Sequence, residues 1–274
     1  MARPLLVAIL NITEDSFSDG GRYLDPAAAI AQARRLAAGG ADIVELGAAA
    51  SNIAAKPVSA EEEIRRLQPV IATLKGDGVP LSIDTFQIET QRFALAGSVD
   101  YLNDIQGFPD PAIYPDLAAA RCRLVVMHAA QGRGRAQSLE LAPEEVWRHI
   151  QDFFAERIPR LERAGIARER LILDPGMGLF LSSRPESSLR VLRGLEELKR
   201  IFGLPILVSV SRKSFLGRLT GHGHPAGLGA ATLAAELYAA RHGADLIRTH
   251  DPAALRDALI VSEALDRPGE AISD

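Results

Sequence analysis

Eight short runs of β-type residues alternate with eight longer helical runs, and this alternation limits the fold more than any other feature of the sequence. Parallel strands joined by right-handed crossovers are the expected consequence. Eight such units in 274 residues predict an α/β fold, a single (β/α)8 TIM barrel forming one domain over residues 1–274. A doubly wound open sheet is the rival, but it usually has a glycine fingerprint after strand one, where this chain has Asn11. Strands are predicted at residues 5–10, 42–46, 81–84, 101–104, 123–128, 171–174, 206–210 and 246–249.

Local signals mark where the helices between these strands begin and end. Asp25 precedes a proline and is expected to cap the first helix, and Ser59 with Glu62 forms a capping-box pattern at the second. Glycines close several helices and are expected in the left-handed conformation, namely Gly97, Gly165, Gly203 and Gly243. The predicted helices are residues 26–38, 60–75, 87–96, 111–120, 144–164, 186–202, 226–242 and 252–265.

Composition excludes several classes of function. Acidic and basic residues are mixed along the chain with a net charge of −4, so we expect no nucleic-acid partner. No apolar stretch approaches the ~20 residues that cross a membrane, so no membrane association is expected. The single cysteine, Cys122, begins an apolar run and is expected to be buried, which fits a cytoplasmic protein.

Polar residues follow seven of the eight predicted strands, at the point where each strand ends. One such residue is most often a turn or helix cap, and a lone histidine is usually part of the core. Capping does not require so many strands to end in this way, and in a barrel these ends meet on the face that carries active sites. The residues are Asn11, Asp84, Asn103, Asp104, His128, Asp174, Ser211, Arg212, Lys213, Arg248 and His250.

These side chains divide into two chemical groups. Asp84, Asn103 and Asp174 are rich in acceptors and suit a flat heterocycle that is edged with N–H donors. Such buried carboxylates need ligand donors or Lys213 to balance them. Arg212, Lys213, Arg248 and His250 are donors for a phosphate or diphosphate, and Asn11 offers an oxygen ligand for Mg2+. The sequence thus predicts a heterocycle, an anion and Mg2+ in one site.

The segment after the first strand is also informative. Ten mostly polar residues follow Asn11 and include Phe17, a side chain that water disfavours. A loop that folds over a ligand would use such a residue, whereas the simpler reading is an ordinary connection with a chance aromatic.

The chain resembles the dihydropteroate synthase family over about residues 7–252. The resemblance rests on motifs that occur in family order at the predicted strand ends. They are Ile9-Leu10-Asn11, Asp15-Ser16-Phe17-Ser18-Asp19-Gly20-Gly21, Ser82-Ile83-Asp84-Thr85, Asn103-Asp104-Ile105, Met127-His128, Leu173-Asp174-Pro175-Gly176, Ser211-Arg212-Lys213-Ser214 and Arg248-Thr249-His250.

The resemblance implies a Mg2+-dependent condensation of 6-hydroxymethyl-7,8-dihydropterin diphosphate with 4-aminobenzoate, and typically a homodimer. Catalytic roles are implied for Asp84, Asp174, Lys213, Arg248 and His250. The implied pterin-binding residues are Asp84, Asn103, Met127, Asp174 and Lys213. The implied diphosphate-binding residues are Asn11, Ser51, Arg248 and His250, with Asn11 also the metal ligand. The residues implied at the 4-aminobenzoate pocket are Phe17, Asp19, Ile53, Leu179, Phe180 and Ser211.

Two loops depart from the usual family pattern. After the second strand, Ser51, Asn52 and Ile53 stand where the family usually has Thr-Arg-Pro, and the segment 177–181 lacks the usual Phe-Gly-Lys ending. In both places the chain is more similar to the sulfonamide-insensitive, Sul-type synthases. We therefore expect reduced sulfonamide sensitivity, because Ile53, Leu179 and Phe180 crowd the drug beyond the outline of the substrate.

Two alternatives share parts of this pattern. A methyltetrahydrofolate-type methyl transferase domain would use the Asp/Asn trio but would not need the anion contacts. A non-catalytic pterin-binding barrel is suggested only by the altered loop at Ser51 and Asn52, and the retained Asn11, Lys213, Arg248 and His250 argue against it.

Overall fold

The computed structural model describes residues 3–13, 23–49, 57–132 and 139–266. Eight parallel strands form one sheet in the order β6-β5-β4-β3-β2-β1-β8-β7. A parallel bridge between Leu173 and Ile206 brings β6 next to the chain entering β7, so the sheet is a nearly closed barrel and the TIM-barrel prediction is confirmed. The strands are β1 Leu5–Asn11, β2 Ile43–Gly47, β3 Leu81–Asp84, β4 Tyr101–Asp104, β5 Arg123–Met127, β6 Leu171–Asp174, β7 Leu207–Val208 and β8 Leu246–Thr249.

Ten α-helices lie among the described residues, between and after these strands. Their ranges are α1 Pro26–Ala38, α2 Ala60–Gly76, α3 Ile88–Ala96, α4 Tyr114–Ala119, α5 Pro143–Arg163, α6 Pro185–Arg193, α7 Leu195–Phe202, α8 Ser214–Thr220, α9 Gly229–Arg241 and α10 Pro252–Asp266. None of the helices in the described part of the chain is long and apolar enough to cross a bilayer.

The predicted caps of α1 and α2 are present. The Asp25 side chain accepts a hydrogen bond from the Ala28 amide at 3.0 Å, and Ser59 accepts one from the Glu62 amide at 3.2 Å. The Glu62 carboxylate accepts hydrogen bonds from Arg65 and Arg66, so only the Ser59 half of the predicted capping box is confirmed.

Some predicted boundaries were wrong, for reasons of packing. The helix expected at residues 186–202 is two helices, α6 and α7, separated by Gly194. A Cβ at Gly194 would overlap the Trp147 ring, so α5 packs directly against the backbone at this break. Gly97 is right-handed with φ −71°, and the positive φ falls on Ser98 instead. Gly165, Gly203 and Gly243 have the positive φ that was expected.

The alternation of side chains along each strand determines what enters the barrel. A layer of apolar residues fills the interior, comprising Val7, Ile43, Val125, Ile172, Leu207 and Leu246. Two positions further along their strands, on the same face, come Glu45, Met127, Asp174 and Arg248. The apolar layer therefore supports a polar layer nearer the carboxyl ends of the strands.

Candidate active site

The polar layer contains an ion-pair network across the barrel. Arg248 from β8 donates from Nη2 to Asp84 Oδ2 of β3 at 2.9 Å and from Nε to Glu45 of β2. Glu45 is only 1% exposed. Arg248 is therefore the cation that balances Asp84, a pairing that the sequence did not predict.

Burial changes the proton affinity of Asp84 despite this pairing. Desolvation raises the pKa of Asp84 to about 7, Arg248 opposes the rise, and the nearby Glu45 carboxylate reinforces it. Two carboxylates share one guanidinium, so the network is short of positive charge. A ligand that brings N–H donors or a cationic ring would relieve that shortage.

Asn103 and Asp174 lie in the same layer and present acceptors. The Asn103 amide nitrogen donates to Glu45 Oε2 at 3.2 Å, while its carbonyl oxygen is buried without a hydrogen-bond partner. Asp174 Oδ1 accepts from the Gly176 amide at 2.8 Å, which fixes the carboxylate. Desolvation raises the pKa of Asp174 to about 6, although Gly176 and Lys213 oppose it.

The turn after Asp174 requires glycine. Gly176 has φ +74°, and a Cβ there would overlap the carbonyl oxygen of His128. His128 is buried, its Nδ1 donates to the Pro175 carbonyl at 3.1 Å, and burial lowers its pKa to about 4. His128 is therefore a neutral residue that joins the ends of β5 and β6.

Lys213 and Phe180 are in contact at one side of the site. The Lys213 ammonium lies 5.1 Å from the centroid of the Phe180 ring. Burial lowers the pKa of Lys213 to about 8, helped by Arg248 and opposed by Asp174. Phe180 packs with Met127, Ile105 and Ala129 in a small apolar cluster, and the half-buried Leu179 borders it. This apolar cluster lies next to the polar layer, because Met127 belongs to both.

His250 and Ser211 form a second contact between neighbouring strands. Ser211 Oγ lies 2.9 Å from His250 Nδ1 and accepts a hydrogen bond from the His250 amide at 3.2 Å. Burial and, to a smaller extent, the positive charges of Arg212 and Arg248 lower the pKa of His250 to about 3. A neutral His250 that accepts a hydrogen bond from the Ser211 hydroxyl on Nδ1 keeps its Nε2–H as a donor.

Asn11 ends β1 half-buried, beside Gly47 of β2. A Cβ on Gly47 would lie 3.5 Å from Asn11 Oδ1, an ordinary van der Waals distance, so this oxygen lies close to the Gly47 backbone. No group of three His, Cys, Asp or Glu side chains in the described ranges is arranged to hold a metal ion. This donor set fits only an ion that takes one protein oxygen and completes its shell with phosphate and water, as Mg2+ does.

The structure thus brings together most of the predicted site. Asp84, Asn103, Asp174 and Arg248 share the polar layer, and His250 with Ser211 lies beside it. The predicted residues Phe17, Asp19, Ser51 and Ile53 lie outside the described residues.

One central residue, Glu45, was missed by the sequence reasoning. The available signal was a single carboxylate within the otherwise apolar strand Ile43–Gly47. Its position, two residues from Ile43, places it on the barrel interior, where an unpaired carboxylate would be costly.

Comparisons with known proteins show which family the chain belongs to. The family model described as pterin binding enzyme matches residues 7–250. The chain is 57% identical over 261 residues to dihydropteroate synthase type-2 of Escherichia coli, covering 95% of this chain and 96% of that protein. The Xanthomonas albilineans dihydropteroate synthase structure with 4-aminobenzoic acid is 38% identical, with a TM-score of 0.87 over 96% of this chain and 93% of that one. The structure of that enzyme with 7,8-dihydropteroate is 35% identical and has a TM-score of 0.81 over the same shares. The chain belongs to the pterin-binding enzyme family and, within it, to the dihydropteroate synthases.

Proposed function

We propose that this enzyme condenses 6-hydroxymethyl-7,8-dihydropterin diphosphate with 4-aminobenzoate, giving 7,8-dihydropteroate and diphosphate. The observation that carries the proposal is the meeting of two groups at one barrel mouth. Asn103 and Asp174 offer acceptors for a heterocycle, while Arg248 and His250 offer donors for an anion. The similarity to synthases solved with 4-aminobenzoic acid and with 7,8-dihydropteroate supports the same assignment.

The chemistry follows from the movement of charge. The bond between the methylene carbon and the diphosphate oxygen breaks, and both electrons leave with the diphosphate. Positive charge then develops on the methylene and the ring, and the Asp84 and Asp174 carboxylates stabilise it. Arg248 and the neutral His250 donate hydrogen bonds to the leaving anion. The aniline nitrogen attacks the carbon, forms the new C–N bond and releases its proton to water.

We also propose that the enzyme requires Mg2+, with Asn11 as the protein ligand. Support comes from the family resemblance and from the place of Asn11, whose amide oxygen lies at the carboxyl end of β1. When bound, the ion would neutralise charge on the diphosphate. Titration with Mg2+ tests this, because Asn11→Ala should raise the Mg2+ concentration for half-maximal rate, and an unchanged value contradicts the assignment.

Reduced sulfonamide sensitivity is a further part of the proposal. Phe180 is 7% exposed and lies on Lys213, and Leu179 borders it, so the rim of the predicted 4-aminobenzoate pocket is bulky. Sulfamethoxazole extends beyond 4-aminobenzoate and would meet this bulk first. Equal inhibition of this enzyme and a conventional synthase would contradict the proposal.

The two alternatives make different predictions about coupling. In the proposed synthase, diphosphate and Mg2+ strengthen binding of 6-hydroxymethyl-7,8-dihydropterin, because anion and ring occupy adjoining parts of one site. A methyl transferase domain gives no such coupling, and a non-catalytic barrel gives coupling without product.

We propose a homodimer in the cytoplasm, on the basis of the family resemblance and of a single cysteine that is buried and free. Exposed apolar side chains on α9 and α10 offer surface for a second copy, namely Tyr238, Ile260, Val261 and Leu265. Light scattering after gel filtration should give twice 29.4 kDa, and the monomer mass would contradict the dimer.

A further inference from the structure

Glu45 contacts both chemical halves of the site. Its Oε1 accepts from Arg248 Nε, and its Oε2 accepts from Ser82 Oγ at 2.9 Å and from Asn103 Nδ2 at 3.2 Å. The side chain is 1% exposed, so Glu45 can affect a substrate through its neighbours without touching it. Arg248 faces the proposed diphosphate and Asn103 the proposed pterin, so Glu45 is placed to act through them.

The chemistry of a carboxylate fixes the amide of Asn103. An ionised carboxylate has acceptors only, and Arg248 offers donors only. The Asn103 NH2 group must therefore face Glu45, which leaves Oδ1 to face the site. That oxygen is buried and has no hydrogen-bond partner, so its partner must come from a ligand.

We propose that Glu45 is a positioning residue that sets the hydrogen-bonding polarity of the pterin pocket. It holds Asn103 as an acceptor, so the pocket selects a ring edge with an N–H donor, and it fixes Arg248 for the anion at the same time. This inference rests on the proposed pterin-binding function. A purely structural ion pair between Glu45 and Arg248 would be indifferent to which end of the Asn103 amide faces the ligand.

The isosteric change Glu45→Gln separates these two roles. Arg248 has no acceptor, so the Gln carbonyl must face Arg248, and the Gln NH2 group must face Asn103. Asn103 then turns its oxygen to the new NH2 group and presents its own NH2 group to the ligand. An N–H donor of the pterin would meet a donor in place of an acceptor.

Binding of 6-hydroxymethyl-7,8-dihydropterin without diphosphate is the first assay, because it removes the contribution of Arg248 to the anion. We expect Glu45→Gln to raise its Kd about 10- to 100-fold, the range for losing a hydrogen bond in a buried site. The KM for 4-aminobenzoate should stay within about twofold. Ser82→Ala is the matched control, since it removes a different donor from the same Glu45 oxygen and should change the pterin Kd by less than about threefold.

A spectroscopic assay tests the orientation directly in the unaltered protein. The sequence has only three asparagines, Asn11, Asn52 and Asn103, so 15N-asparagine labelling gives three side-chain NH2 signals. The signal lost in Asn103→Ala identifies Asn103. We expect its NH2 protons to exchange slowly with solvent before ligand is added, because they are held by Glu45. Exchange of these protons at the rate of a free amide would overturn the proposal. This result is obtained on the unaltered protein, so it does not depend on whether a Glu45 variant folds.

The double variant completes the test. In the Asn103→Ala background, Glu45→Gln should change the pterin Kd by less than about threefold, because the Asn103 side chain through which Glu45 acts on the pterin is absent. An undiminished effect would overturn the proposal and leave a structural ion pair. Wild-type turnover is measured in parallel, so absence of 7,8-dihydropteroate would count against the proposed function while the binding and exchange results still decide the role of Glu45.

Discussion

Replacing Asp174 by asparagine should stabilise the free protein while it weakens substrate binding. Asp174 is 2% exposed, and burial raises its pKa from 3.8 to about 6. Keeping the carboxylate ionised at pH 7 therefore costs about 3 kcal/mol of folding free energy, at 1.36 kcal/mol per pKa unit. The asparagine side chain in Asp174→Asn keeps an oxygen for the Gly176 amide and does not have this cost.

The sign of the effect fixes the pH range of the assay. Because the folded-state pKa is raised, the penalty is absent below the unfolded pKa of 3.8 and fully developed above about 6. Thermal unfolding of Asp174→Asn should show a Tm gain of roughly 5–10 °C at pH 8, shrinking as the pH is lowered through 6. The exposed variant Asp257→Asn controls for general effects of removing a carboxylate.

Binding should change in the opposite direction. Loss of a charged acceptor for a ring N–H costs about 1.5–3 kcal/mol, so the Kd for the pterin diphosphate should rise about 10- to 100-fold. A Tm at pH 8 below that of the wild type, together with an unchanged Kd, would refute the account of Asp174 as a strained acceptor held for the ligand.

Three further predictions follow from the same geometry. The lysine in Arg248→Lys cannot bridge both Glu45 and Asp84. Its effect should be larger for the pterin diphosphate than for the unphosphorylated pterin, with a rise in Kd at least ~10-fold greater. If titration calorimetry shows equal rises for the two ligands, Arg248 does not contact the anion. Binding of the unphosphorylated pterin should be strongest between pH 7 and 8. At lower pH it weakens because Asp84 and Asp174 gain protons near pH 7 and 6, and at higher pH it weakens because Lys213 loses its proton near pH 8. A binding constant that does not change with pH contradicts these roles. Phe180→Ala should lower the sulfamethoxazole inhibition constant about tenfold with KM for 4-aminobenzoate nearly unchanged, and a constant that stays the same removes Phe180 from the resistance proposal.

The barrel could be predicted from the sequence because the signals that mark its strands and helices are local. Strand runs, the caps Asp25 and Ser59, and glycine ends such as Gly203 each depend on a few neighbouring residues. The break at Gly194 was missed because the contact that excludes a side chain there comes from Trp147 on another helix. Gly97 was wrongly given a left-handed conformation, since its neighbour Ser98 takes the positive φ.

The sequence predicted which residues would lie together at the carboxyl ends of the strands, but it did not predict how they contact one another. The strand ends identified Asp84, Asn103, Asp174 and Arg248, because parallel strands place their carboxyl ends on one face. The pairing of Arg248 with Asp84 joins residues 164 positions apart, and nothing in the local pattern specifies it. Glu45 lies within its strand and so escaped a search of strand ends.

The condensation can be measured directly. Purified protein is incubated with 6-hydroxymethyl-7,8-dihydropterin diphosphate, 4-aminobenzoate and Mg2+, with and without sulfamethoxazole, and 7,8-dihydropteroate is quantified. We expect product that depends on both substrates and that persists at drug concentrations that stop a conventional synthase. Absence of product without drug would contradict the assignment of a condensing enzyme to this site, and product that disappears with the drug would contradict the account of the bulky pocket rim.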